Sequence, residues 1–163
     1  MTAPVHIFRV VIALVLSCAL TILPLPQWAA NFKPQWVLMF VLYLQFFLTA
    51  YCHPFLLLLL GFILDALLVT VLGEHAFALL VVVWIASRWR RRFTFYYMGQ
   101  QIVVIGLLCF LYQSLLLLIE SFLGYPSSFM SIAQSSLISM VLWPWMKLLG
   151  DDTLTIRYSS RLN

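Results

Sequence analysis

Asp65 is the residue of this sequence whose type and position most suggest chemistry. It lies in the middle of an apolar run, residues 55–72, where an ionised carboxylate is costly unless it is paired or neutralised. A proton or cation site is one interpretation, but a proton relay needs several ionisable groups, and the apolar runs add only the peripheral Glu120. We therefore favour a structural anchor, with Gly61 one turn earlier permitting close helix approach and Gly73 closing the helix.

Two further runs carry polar or small residues along one helical face. The fifth run has Gly106, Cys109, Gln113 and Glu120, and the sixth has serines spaced by four, Ser131, Ser135 and Ser139. Polar groups in hydrocarbon must find partners inside protein, and small residues let two helix backbones approach. We predict helix packing or partner docking on these faces. A substrate pocket lined by Asp65, Gln113 and Glu120 is the alternative.

Other kinds of chemistry find little support in the sequence. The three histidines, His6, His53 and His75, lie at or beyond the ends of apolar runs, without cysteine or carboxylate at ligand spacing. The cysteines, Cys18, Cys52 and Cys109, fit neither a zinc pattern nor a disulfide framework. The sequence has no catalytic triad set, phosphate-binding glycine loop or dinucleotide fingerprint, and no paired histidines of a membrane electron carrier. We expect no enzyme activity, no metal and no cofactor.

The composition indicates what surrounds these residues. Of the 163 residues, 64% are hydrophobic and 9% are charged, and the net charge is +4. Soluble domains carry roughly 45–50% apolar and about 25% charged residues, so the solvent of this chain must be lipid. The positive charge does not indicate nucleic acid, because the charges lie at the ends of apolar runs, where they orient a protein in a membrane.

The apolar runs predict an all-α, polytopic integral membrane bundle of six transmembrane helices. A helix needs about 20 residues to cross the ~30 Å hydrocarbon core. The predicted spans are 7–25, 36–51, 55–72, 76–87, 101–122 and 131–149, within one domain over 1–150 that is followed by a short cytoplasmic tail over 151–163. The first run ends in Pro24 to Trp28, and we interpret it as a retained helix rather than a cleaved signal.

The distribution of basic residues predicts the orientation. With both termini in the cytoplasm, the inner side receives Arg9, Arg88, Arg90, Arg91, Arg92, Lys147, Arg157 and Arg161, and the outer side only Lys33. Aromatic residues mark the two headgroup regions, with Trp36 at the outer face and Trp143, Pro144 and Trp145 at the inner face. The arginine run could also bind anionic lipid.

Three motifs in a fixed order resemble a known family. They are Phe32-Lys33-Pro34-Gln35-Trp36-Val37-Leu38, then Gly61-x-x-x-Asp65 with Leu72-Gly73 and Ala76-Phe77-Ala78, and last Val141-Leu142-Trp143-Pro144-Trp145. Together they resemble the bacterial rod shape-determining MreD family over about residues 5–150.

The resemblance implies a non-enzymatic scaffold of the cell-elongation complex in the bacterial inner membrane. Its implied partners are the transmembrane span of MreC, the MreB cytoskeleton, and a SEDS glycosyltransferase with its transpeptidase partner. The family is also similar in fold to the substrate-binding subunits of energy-coupling-factor transporters. A small-molecule-binding or transport subunit is therefore the alternative function.

Overall fold

The computed structural model describes residues 3–23, 34–48, 53–124 and 129–152. Within these ranges the chain forms six α-helices and no strands, which confirms the predicted all-α class. The helices are α1 (Ala3–Ile22), α2 (Trp36–Phe47), α3 (Pro54–Leu68), α4 (Glu74–Phe93), α5 (Met98–Phe122) and α6 (Phe129–Gly150).

Helix α2 forms the centre of the bundle. Every residue from Val37 to Phe46 is buried, which is the pattern of a helix that is surrounded by protein on all sides. It contacts α1, α4, α5 and α6. At its end Phe46 stacks on Phe93 of α4, with 3.7 Å between the ring centroids. Four of the other helices therefore pack directly against the apolar surface of α2, whereas α3 contacts α4 and α1.

Helices α3 and α4 form a tightly crossed hairpin. A Cβ atom built on Gly61 of α3 would lie 2.2 Å from the Cα atom of Ala76 in α4. No side chain fits in that space, so glycine at position 61 is what allows the two backbones to touch. Helices α5 and α6 also pack closely, and there Gly106 faces the Met140 side chain.

Helix α4 is longer than the predicted fourth run, 76–87. It begins at Glu74 and continues through Arg88, Arg90, Arg91 and Arg92 to Phe93, because arginine is a good helix former and basic residues suit the negative end of the helix dipole. The four arginines are exposed.

The end of α3 is strained at Val69. This residue adopts the left-handed conformation, with φ 55° and ψ 40°, and its N–H donates to the carbonyl oxygen of Asp65. A β-branched residue is an outlier in that region, where glycine or asparagine is usual. The strained turn explains why α3 ends at Leu68 rather than at residue 72.

We predict that Val69→Asn raises the free energy of unfolding by about 1 kcal/mol, because asparagine tolerates the left-handed conformation better than valine. Val69 is 90% exposed, so the substitution removes few contacts. Thermal melting of the purified protein in detergent measures the change. Leu72→Asn is the control, since Leu72 is also largely exposed, at 76%, and its backbone is not left-handed. Equal melting of the two variants would contradict the strain argument.

By length and composition, α5 is the one helix of the described residues that could cross a membrane. Three other apolar helical segments are shorter, namely Phe8–Ile22, Trp36–Phe47 and Pro54–Leu68.

Candidate functional site

The Asp65 carboxylate closes the turn between α3 and α4. Its Oδ2 atom accepts a hydrogen bond from the Gly73 N–H at 2.6 Å, and its Oδ1 atom accepts one from the His75 N–H at 2.9 Å. Gly73 is the N-cap residue of α4 and His75 lies in its first turn, where backbone donors have no partner inside the helix. Asp65 therefore caps α4 from the preceding helix, and its charge complements the helix dipole.

The His75 side chain completes this arrangement, which we call the hairpin lock (Asp65, Thr70, Gly73 and His75). Its Nδ1 atom lies 2.8 Å from Asp65 Oδ1. The Thr70 hydroxyl lies 3.4 Å from both Asp65 Oδ1 and His75 Nδ1. Toward the Gly73 and His75 amides, Asp65 is the acceptor. The lock thus gives a buried carboxylate partners from the turn and from α4.

The environment of the turn shifts the pKa values of two side chains, Glu74 and His75, both of which precede the predicted fourth span. Burial lowers the pKa of His75, and the hydrogen bond to Asp65 opposes that effect. Burial raises the pKa of Glu74, and the charges of Glu120 and Asp65 add to the effect. This geometry supports the structural anchor that the sequence suggested for Asp65.

The predicted small-residue faces lie largely inside the chain. Ser139 is fully buried, accepts the Gln35 N–H at 3.2 Å and donates to the carbonyl oxygen of Ser135 at 2.9 Å. Gly61 and Gly106 face Ala76 and Met140, as described above. Helix packing within the chain therefore uses these residues. Lys33 lies outside the described residues, and so does the side chain of Ser131.

The family follows from a comparison over nearly the whole chain. The family model described as rod shape-determining protein MreD matches residues 4–151. The chain belongs to the MreD family. That match confirms the resemblance, and it implies a role in rod shape determination as a membrane-associated component. No solved structure matches the chain.

In this MreD family member, Gln113 is the one polar residue of the alternative pocket that lines the cavity beside the hairpin lock. The cavity beside the hairpin lock includes His75 and Gln113 among its lining residues, but neither Asp65 nor Glu120. Gln113 and Glu120 are partly exposed on α5. In the described part of the chain, no three His, Cys, Asp or Glu residues are grouped so that they could hold a metal ion.

The aromatic residues at the end of α6 separate into two environments. Trp145 is 70% exposed, whereas Trp143 is fully buried and packs edge-on against Phe93, with 6.1 Å between ring centroids. Trp143 thus lies in the protein core, whereas the sequence predicts the headgroup region for both Trp143 and Trp145. Helix α6 runs through Pro144 without ending. Trp36 is partly buried at the start of α2.

His75 is the functional-site residue that sequence reasoning missed. It had been considered only as a metal ligand. One signal pointed to this part of the turn. Gly73 offers no side chain to cap α4, so the free N–H groups at the start of α4, including that of His75, need an acceptor from elsewhere. His75 also contacts Tyr112 of α5, with 6.2 Å between ring centroids. The lock is thereby connected to the core.

Proposed function

We propose that this protein is a non-enzymatic inner-membrane scaffold of the cell-elongation complex. In this proposal it binds the transmembrane span of MreC and helps couple MreB to peptidoglycan synthesis by a SEDS glycosyltransferase and its transpeptidase partner. Family membership supports the role in rod shape. The observation that carries the scaffold proposal is an apolar groove on the outer surface of the α3–α4 hairpin, beside polar groups that are satisfied inside the chain.

The proposed topology is six membrane spans with both termini in the cytoplasm. Large apolar side chains are exposed on several helices, among them Phe55, Trp84 and Val141. Water would not solvate such a surface well, whereas acyl chains would. The exposed arginines at the end of α4 fit the inner leaflet, where each basic residue gains about 1 kcal/mol near anionic lipid.

The α3–α4 groove has the size and chemistry of a helix-docking surface. Its volume is about 530 Å³, and its lining includes Leu57, Phe77, Leu80, Val81, Trp84 and Ser87, with the buried Gln45 from α2. Phe77 and Trp84 are more than half exposed. Aromatic residues of this kind anchor interfaces. We assign this groove to the MreC span.

We predict that Val81→Trp reduces co-purification of MreC in mild detergent by about tenfold or more. The indole fills the groove, and overpacking an interface by that amount costs about 1–3 kcal/mol, where 1.4 kcal/mol is a tenfold change in affinity. The same variant should fail to restore rod shape in cells that lack the chromosomal copy.

Val141→Trp on α6 is the matched control, because Val141 is equally apolar and 71% exposed away from the groove. Both variants should elute from size exclusion like the unchanged protein. If Val81→Trp retains MreC as fully as Val141→Trp does, the groove is not the docking surface.

A further inference from the structure

The end of helix α4 carries four positive charges that have no ion pair in the described part of the chain. Arg88, Arg90, Arg91 and Arg92 are all exposed. The chain has 5 acidic residues, and all of them lie within the described residues, yet none of them forms a salt bridge with these arginines. A concentration of unpaired charge of one sign attracts groups of the opposite sign. The end of α4 is therefore a binding surface for an anion.

Two of the arginines share the face of α4 that points away from the bundle. Residues three and four apart are neighbours on a helix, so Arg88 and Arg91 continue the row that begins at the exposed Trp84. Arg90 instead follows the fully buried Ala86 by one turn. Arg88 and Arg91 therefore extend from one outward face, and Arg90 extends from the opposite side of the helix.

Contacts with three other helices hold this end of α4 in place. The Gln101 side chain of α5 donates to the carbonyl oxygen of Tyr96 at 3.0 Å, and its Oε1 atom accepts a hydrogen bond from Lys147 of α6 at 3.0 Å. Phe93, the last residue of α4, stacks on Phe46 of α2. A ligand of the arginines would not have to order the backbone, and such preorganisation favours binding.

The side chains around the arginines favour a lipid over an acidic protein segment. Phe95 and Tyr97, which follow the arginines, are 86% and 84% exposed, and Trp89 among them is exposed as well. Exposed tryptophan and tyrosine rings beside basic residues are typical of the headgroup level of a membrane. A guanidinium group donates two parallel hydrogen bonds to a phosphate, and arginines one turn apart are close enough to share one phosphate.

We propose that Arg88 and Arg91 together bind the phosphate of one anionic phospholipid. A zwitterionic lipid should bind less well, because its own ammonium group already compensates its phosphate. The lipid site rests on the proposed membrane placement, but it depends neither on MreC nor on the α3–α4 groove. It gives the arginine run a specific ligand in addition to its effect on orientation.

Native mass spectrometry of the full chain tests the proposal. The protein is released from nanodiscs that contain equal amounts of phosphatidylglycerol and phosphatidylcholine with the same acyl chains, and the retained lipid is identified. Both leaflets have this composition, so the result does not depend on orientation. We expect one retained phosphatidylglycerol, preferred over phosphatidylcholine by about tenfold or more, and a preference about fivefold lower in Arg88→Gln or Arg91→Gln, as expected for one basic residue beside anionic lipid.

Arg90→Gln is the matched control, because it removes the same charge from the other side of the same helix end. It should retain phosphatidylglycerol like the unchanged protein, and melting temperatures should be equal for all three variants, since these arginines are exposed. Equal losses in Arg90→Gln and Arg91→Gln would indicate general attraction by positive charge and would overturn the lipid site.

Two further outcomes distinguish the lipid site from the proposed membrane placement. If the chain enters nanodiscs but shows no preference for phosphatidylglycerol, the lipid site alone is overturned, and an acidic protein segment becomes the better candidate for the arginines. If the purified chain stays dispersed in water without detergent or lipid, the membrane placement and the lipid site are both overturned.

Discussion

Asp65→Ala is expected to prevent recovery of folded protein from the membrane. The substitution removes the acceptor of the Gly73 N–H, the His75 N–H and the His75 ring. Each buried donor that is left without a partner costs about 1–3 kcal/mol. Three such losses approach the whole free energy of unfolding of an ordinary domain, about 5–15 kcal/mol. Fluorescence-detected size exclusion of a tagged variant measures the monodisperse fraction, which should fall close to background.

Two variants show whether the loss comes from the capping role. Asp65→Asn keeps one acceptor oxygen but presents an NH₂ group to the second donor, so its recovery should lie between those of Asp65→Ala and the unchanged protein. Glu120→Gln removes a carboxylate that is partly exposed and should have little effect. If Asp65→Ala is recovered as well as Glu120→Gln, the hairpin lock does not hold the fold together.

Gly61→Ala is expected to lower the melting temperature by roughly 6–12 °C. The added Cβ atom would lie 2.2 Å from Ala76 Cα and 2.5 Å from Ala76 N, and a backbone cannot move aside as the tip of a side chain can. Helices α3 and α4 must separate, which also stretches the hydrogen bonds of the lock. We estimate a cost of about 3 kcal/mol, and 1 kcal/mol corresponds to roughly 2–4 °C in a chain of this size.

Gly99→Ala is the matched control for this substitution. Gly99 lies in the first turn of α5, and a Cβ atom there would have no heavy atom within 4 Å. Alanine is the better helix former, by roughly 0.5–1 kcal/mol, so this variant should melt at the same temperature as the unchanged protein or slightly higher. Equal melting of Gly61→Ala and Gly99→Ala would show that α3 and α4 do not cross at Gly61.

The sequence predicted the all-α class and the family, and its anchor interpretation of Asp65 stays a prediction. These depend on composition, on motif order and on the high cost of a charge in an apolar run, all of which can be read without coordinates. The acceptor role of Asp65 toward Gly73 and His75 could not be read in this way. It depends on the turn between α3 and α4, whose course is set by left-handed backbone at Val69 and Gly73.

The faces of the helices were harder to predict than the helices themselves. The spacing of Ser135 and Ser139 shows that they share one face of α6, but it does not show which neighbour that face contacts. In the structure both serines are buried against other helices of the chain. Trp143 shows the same difficulty, since its place in the sequence indicates depth in the membrane but not rotation of the helix. The buried, unpaired carboxamide of Gln35 could not be read from a local pattern, because its burial depends on which helices pack around it.

Site-specific photo-cross-linking is the most direct test of the scaffold function. A benzophenone-bearing amino acid replaces Val81 in the α3–α4 groove or, in a separate variant, Val141 on the exposed face of α6, in cells that produce MreC. The scaffold account predicts an adduct with MreC from position 81 and little or none from position 141. No adduct from position 81, or equal adducts from both positions, would contradict it.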